Sequence, residues 1–160
     1  MSRRPEVLES EFARRRDEAL DMLSSRIPFV RFLGMRFELK GDEITSVLPF
    51  REILLGNPDP PALHGGATAA FMEVTALIEL SWVFACDRGD AIPAERESTR
   101  LPKTIGFTAD YLRPGDPKRS YARANVVRSG RRFATVRVEA WQDQRSRLFA
   151  QATGHFLMPQ

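Results

Sequence analysis

The spacing of hydrophobic positions divides the chain into segments of different period. Over residues 6–23, Val7, Leu8, Phe12, Ala19, Leu20 and Leu23 stand among many charges, the pattern of an amphipathic helix. Pro28 ends it, and a short helical turn is expected over Phe29 to Leu33. Period-2 alternation follows. Met35, Phe37 and Leu39 alternate with Arg36, Glu38 and Lys40, and Gly41-Asp42 reads as a two-residue hairpin turn. The return strand places Ile44, Ser46 and Leu48 on one face and ends at Pro49. Residues 51–63 are expected to be a loop, because Pro58, Pro60 and Pro61 exclude a helix or a central strand.

From Gly65 to Phe84 the chain is apolar nearly all round, with Glu73 and Glu79 as its charges. A helix of this kind belongs inside a core. The two carboxylates and the surrounding strand patterns argue against a membrane span. A long polar loop is expected over 87–103. Four strands are predicted after it, at 104–112, 119–129, 132–142 and 147–157, with turns at Arg113-Pro114-Gly115-Asp116, at Ser129-Gly130 and over Gln142 to Arg147. Ile105, Phe107, Ala109 and Tyr111 should share one face of the first strand, Ala134, Val136, Val138 and Ala140 one face of the third, and Ala150, Ala152, Gly154 and Phe156 one face of the last. Small side chains on these faces leave room for a bulky element. The predicted architecture is α+β: an antiparallel sheet of about six strands around one long central helix. Residues 1–28 form an N-terminal helical extension and 29–160 the main domain.

Composition narrows the classes. The 160 residues are 28% charged and 42% hydrophobic, which suits one globular domain. A single cysteine, Cys86, allows no internal disulfide, and the histidines and cysteine form no zinc-ligand pattern. The charged N-terminus has no apolar stretch of signal type, so a cytoplasmic location is expected. Net charge is only +3, but Lys118 to Val138 holds seven basic residues and no acid: Lys118, Arg119, Arg123, Arg128, Arg131, Arg132 and Arg137. Such a field suits a phosphate-bearing partner, either nucleic acid or a phosphorylated cofactor such as a nucleotide or coenzyme A, or else is a solvated strand pair.

The candidate chemistry lies in Asn57 to Gly66, which leads straight into the apolar helix. The glycines stand where free backbone N–H groups begin a helix, and these groups favour negative charge. An oxyanion hole can be built from such main chain alone. Glu73 lies two turns inside. Burial there should raise its carboxyl toward the range of a general base, unless it serves as a polar contact across an oligomer interface. Glu79, six positions on, is read as structural or solvent-facing. Taken singly, His64 is a capping or packing residue, Asn57 a turn former, Thr104 a strand former and Cys86 inert filling.

Together, Gly56-Asn57, Leu63-His64-Gly65-Gly66 and Phe71-Met72-Glu73 resemble the signature of hotdog-fold acyl-CoA thioesterases of the phenylacetate-pathway (PaaI-like) type. Thr104 through Gly115, with its Tyr111-Leu112-Arg113-Pro114 run, and Arg128-Ser129-Gly130-Arg131 also match, so the resemblance covers residues 30–158. It implies a hotdog homodimer, or a dimer of dimers, with active sites at the interface. It implies that the Gly65 N–H polarises the thioester carbonyl, with Asn57 and His64 shaping that end. Glu73 of the other subunit then acts as general base or nucleophile, and Thr104 helps to hold the water or the acid. Gly66, Tyr111, Arg128, Gly130, Arg131 and Arg132 fall at substrate-binding positions, the arginines suiting the phosphates of coenzyme A. Coenzyme A is then part of the substrate, and no separate cofactor or metal is implied. The chain departs from the pattern in carrying Glu73 where many relatives have aspartate, and Asp59-Pro60-Pro61 where a glycine-containing loop is commoner.

Two other classes compete. An acyl-thioester hydratase or dehydratase on the same fold would use the His64 imidazole for proton transfer. A non-catalytic acyl-CoA or nucleic-acid binding module is disfavoured: residues 1–28 are too short for a helix-turn-helix, and the basic strands lack interleaved aromatics. Phe71, Trp82, Phe84 and Phe107 are candidates for an acyl tunnel or for core.

Overall fold

The computed structural model describes residues 4–87 and 100–159. The chain begins with helix α1 (Arg4–Ser25) and helix α2 (Pro28–Leu33). The hairpin β1 (Arg36–Lys40) and β2 (Glu43–Leu48) follows. A 3-10 turn (Glu52–Leu54) leads to β3 (Leu55–Pro58) and β4 (Pro61–Leu63), and then to helix α3 (Gly65–Asp87). The last part is β5 (Lys103–Tyr111), β6 (Ser120–Ser129), β7 (Phe133–Trp141) and β8 (Leu148–Leu157). The main sheet has six strands in the order β1-β2-β6-β7-β8-β5, with every pair antiparallel. This is the expected α+β architecture, a sheet around one long helix.

Register explains how the helix fits. One row across five strands reads Tyr111, Ala150, Ala140, Ala122 and Ser46, and its last four members are sealed from solvent. Alanines there let α3 approach the sheet closely. On α3, Phe71, Met72, Ile78 and Leu80 are fully buried, each contributing roughly 1.5–3 kcal/mol by leaving water. The opposite end of the sheet carries the row Thr104, Phe156, Ala134 and Ser129. Gly154 makes space between rows, since a Cβ there would lie 2.6 Å from the Phe156 ring. By length and hydropathy α3 could cross a bilayer, but it is the core helix of this fold. The same core takes in Ala19, Leu20 and Leu23 of α1, so the N-terminal extension packs into the domain.

The structure corrects four expectations. The 51–63 segment is a 3-10 turn followed by a separate two-stranded hairpin, β3–β4. Prolines bar a central strand, yet an isolated pair needs few ladder N–H groups. Leu63 N–H donates to Gly115 O and His64 N–H to Leu54 O, which ties the hairpin to the body. Helix α3 runs three residues further than expected, to Asp87. Ile105 leaves the face of Phe107, Ala109 and Tyr111, because a bulge between Thr104 and Gly106 shifts the register there and leaves Ile105 57% exposed. The fourth correction, at Glu79, concerns the site. Most of the polar loop expected over 87–103, and the side chains of Val7 and Leu8, lie outside the described residues.

Candidate functional site

His64 is the capping residue of α3. Its carbonyl accepts the Thr68 N–H at 3.0 Å, and its Nδ1 accepts the Gly66 N–H at 2.8 Å. With Nδ1 accepting, the neutral ring carries its proton on Nε2. The cap satisfies one of the orphan donors of the first turn. The Gly65 N–H, by contrast, donates to no group among the described residues. Two glycines make this arrangement possible. A Cβ on Gly56 would lie 2.7 Å from the His64 Cα, and a Cβ on Gly65 would lie 3.2 Å from the Tyr111 Cζ. Tyr111, the last residue of β5, reaches across and donates from Oη to Gly65 O at 2.7 Å. Asn57 accepts the Asp59 N–H on Oδ1 at 3.2 Å, which shapes the turn of the hairpin that carries His64.

The helix start thus brings His64, Gly65, Gly66 and Tyr111 together, with Asn57 on the hairpin that leads into it and the Gly65 N–H left without an acceptor among the described residues. The Gly66 N–H is taken by His64, so Gly66 adds open space there and not a donor. Glu73 is half-buried. It lies eight residues along the helix from Gly65, about 12 Å on the axis. Gly66, Ala69, Ala70, Glu73 and Leu77 all keep solvent exposure, which marks the stripe of α3 that its own chain leaves partly uncovered.

The remaining predicted residues sit at the other end of the sheet. Thr104 is seven residues from Tyr111 on β5, about 23 Å away by strand rise. The Ser129-Gly130 turn lies at the same end, and Gly130 N–H donates to Phe133 O. Arg128, Arg131 and Arg132 around it are exposed. None of the three guanidinium groups has an ion-pair or hydrogen-bond partner among the described residues. Two of the seven basic residues expected to build the positive field are already neutralised. Arg123 pairs with Glu43 at 2.7 Å, and Lys118 with Asp143 at 2.7 Å and Asp116 at 3.3 Å. Glu43 and Asp143 come from distant segments and Asp116 stands just outside the counted run, so the local count of charge overstated the field.

Glu79, expected to be structural or solvent-facing, loses the second of these readings, which is the fourth correction. It is not a solvent-facing acid: it is half-buried, and burial, helped by the nearby Glu43 charge, pushes its carboxyl up to about 7. Of the aromatic candidates, Phe71 and Trp82 are core, whereas Phe84 and Phe107 are partly exposed. Sequence reasoning missed the Tyr111–Gly65 bond, which joins residues 46 apart, and the contact of Gly56 with His64. Only the glycine itself signals the latter.

Residues 57–157 match the family model of the acyl-CoA thioesterase N-terminal domain. The chain is 31% identical over 143 residues to the medium/long-chain acyl-CoA thioesterase YigI of Escherichia coli K12, covering 86% of this chain and 90% of that protein. Among solved structures, a Chromobacterium violaceum protein is 36% identical, with a TM-score of 0.65 and coverage of 94% of this chain and 97% of that one. A Shewanella oneidensis protein described as related to the thioesterase superfamily is 26% identical, with a TM-score of 0.77 and coverage of 92% and 97%.

Proposed function

The chain belongs to the acyl-CoA thioesterase family of the hotdog fold, and from that membership we propose that it hydrolyses an acyl-CoA to free acid and coenzyme A at a site shared between two copies of the chain. In this reading the Gly65 N–H of one copy receives the developing oxyanion. Glu73 of the other copy activates water as general base, or attacks as nucleophile. Asn57 and His64 shape the donor end, and Thr104 steadies the water or the acid. Tyr111, Gly66 and Gly130 border the substrate. Arg128, Arg131 and Arg132 take the phosphates of coenzyme A. The enzyme works in the cytoplasm as a dimer or a dimer of dimers.

The observation that carries this reading is the separation of the two groups along one helix. A donor and a base some 12 Å apart cannot act on the same carbonyl, where reacting atoms must come to about 3–3.5 Å. A second copy, reversed against the first, brings the Glu73 of one helix to the Gly65 of the other. Two features support it. The Glu73 stripe of α3 is partly uncovered, and among the described residues β5 is a nine-residue edge strand whose outer side can take a partner. The engaged Nδ1 of His64 favours hydrolysis over hydration, because an imidazole holding the helix cap is not free to shuttle a proton through that atom.

The test is complementation. A Gly65→Ala chain and a Glu73→Gln chain, each impaired alone, are unfolded, mixed and refolded together. Random pairing into two-site dimers regenerates about a quarter of the wild-type sites when each site draws on both chains. If each chain carried its own complete site, mixing would restore nothing.

A further inference from the structure

Strand β2 joins the main sheet over only half its length. Ser46, Val47 and Leu48 pair with Ala122, Tyr121 and Ser120 of β6, whereas Glu43, Ile44 and Thr45 pair only with β1. From Thr45 to the Gly41-Asp42 turn the hairpin leaves the sheet and opens a cleft of about 390 Å³. One wall is Asp42, Glu43 and Ile44; the other is Arg123, Ala124 and Asn125, with Arg137, Glu139 and Arg145 beyond. Glu79 of α3 faces it from the core side. The proposed thioesterase mechanism uses none of these groups.

Side chains hold the hairpin end where the backbone ladder is missing. Arg123 donates from Nε to Thr45 Oγ1 at 2.8 Å and from Nη1 to Glu43 Oε2 at 2.7 Å. On the other side Arg16 of α1 donates to Asp42 Oδ1 at 2.9 Å while lying over the Trp82 ring, one turn of α3 beyond Glu79. Ile44 packs into the core and makes the closed arrangement the ground state.

We propose that the β1–β2 hairpin end is a proton-controlled flap over this cleft, closed while Glu79 is protonated and loosened when Glu79 ionises. A neutral Glu79 leaves Arg123 committed to Glu43 and Thr45. An ionised Glu79 is a second carboxylate competing for Arg123 and repelled by Glu43. Its charge is also penalised by the burial of its side chain between α3 and the hairpin. The groups facing it are Arg16 of α1, Asp42 and Glu43 of the hairpin, Arg123 of β6, Arg137 and Glu139 of β7, and Arg145 of the β7–β8 turn. Arg145 is turned to Glu139 at 3.7 Å and to the Trp141 ring, and Arg16 to Asp42, which leaves the exposed Arg137 and Arg123, the cation that clasps the hairpin, for an ionised Glu79 to draw on. Linkage sets the size. The closed form holds the Glu79 carboxyl near 7, against 4.5 for a free one, so ionisation raises the open fraction by at most roughly 300-fold.

Labelling of a thiol placed at the buried flap residue (Ile44→Cys with Cys86→Ser, taken as the wild type for this test) reads the flap directly, because residue 44 is buried in the core when the flap is closed and leaves it when the hairpin end lifts. Corrected for the thiolate fraction, protection is expected to fall by about tenfold or more between pH 5 and 8, with opening reaching half of its plateau near pH 7. Glu79→Gln should stay protected throughout. Protection in the wild type that does not change with pH would overturn the proposal, as would the same fall in Glu79→Gln. Should Glu79→Gln fail to fold, Glu43→Gln decides: removing the like charge must move the midpoint to lower pH, and an unmoved midpoint overturns the proposal.

Discussion

Tyr111 Oη donates a 2.7 Å hydrogen bond to the carbonyl oxygen of Gly65, tying the last residue of β5 to the first residue of α3. The ring of the same tyrosine lies where a Cβ on Gly65 would sit, 3.2 Å from Cζ. The free Gly65 N–H is therefore aimed by a side chain 46 residues away, and the two positions should be energetically coupled. Tyr111→Phe keeps the ring and loses the bond, so kcat/KM for an acyl-CoA should fall by about three- to tenfold. Gly65→Ala should cost more, because the methyl displaces the ring. Adding Tyr111→Ala to Gly65→Ala should relieve the crowding, and a double-mutant cycle should give a coupling of about 1 kcal/mol. Strict additivity would show that the tyrosine does not position the helix start.

Glu73→Gln preserves size and removes the base. Its kcat should drop by two to four orders of magnitude, the usual range for lost general-base catalysis, with KM little changed. Glu73→Asp should keep partial activity, since the carboxylate is retained one methylene shorter. Full wild-type turnover by Glu73→Gln on every acyl-CoA tried would remove Glu73 from the chemistry.

His64 can be separated into cap and catalyst. His64→Ala loses the acceptor for the Gly66 N–H and should destabilise the protein by about 1 kcal/mol. His64→Asn restores an acceptor suited to a helix start, so both thermal stability and most thioesterase activity should return. Were the imidazole the proton-transfer group, His64→Asn would be stable and inactive, a result that would favour the hydratase chemistry.

Arg128 and Arg131 are exposed and unpaired among the described residues. Replacing both with Ala should raise KM for an acyl-CoA far more than for the same acyl group on a short thiol, since remote uniform binding appears in KM. Equal effects on the two substrates would mark the turn as solvated surface.

Glu79 makes stability depend on pH in a defined direction. Its folded carboxyl is held near 7 and an unfolded one near 4.5, so the native state binds the proton more tightly in that interval. Its contribution is favourable at low pH and is lost as pH rises through about 7. Glu79→Gln should therefore match the wild type near pH 4.5. At pH 8 it should melt about 2–6 °C higher, corresponding to about 1–2 kcal/mol after discounting for partial solvent access. A lower melting temperature than wild type at pH 8 would reverse the assigned sign.

What the sequence determined by itself is whatever has a short period. The alternation of Ala134, Val136, Val138 and Ala140, or of Ala150, Ala152, Gly154 and Phe156, places those residues on one face without reference to the rest of the chain, and all of them are buried. The all-round apolar stretch from Gly65 is long enough to need a core on every side, and the small strand residues leave room for it. The His-Gly-Gly segment at its start marks a helix N-terminus for reasons that need only local backbone chemistry. The tertiary structure decided everything that depends on which distant groups meet. Glu73 and Glu79 look alike on the helix, and only the departure of β2 from β6 puts Glu43 and a half-buried cleft beside Glu79. The bulge at Ile105 and the pairing of β3 with β4 are choices of register, set by partners remote in the chain. The basic run from Lys118 to Val138 carries no acid of its own, and Asp143 and Glu43, which pair with Lys118 and Arg123, come from segments brought together only by folding. The Gly65 donor acquires its orientation from Tyr111 for the same reason: Coulomb and hydrogen-bond terms act through space, and a periodic pattern carries no record of them.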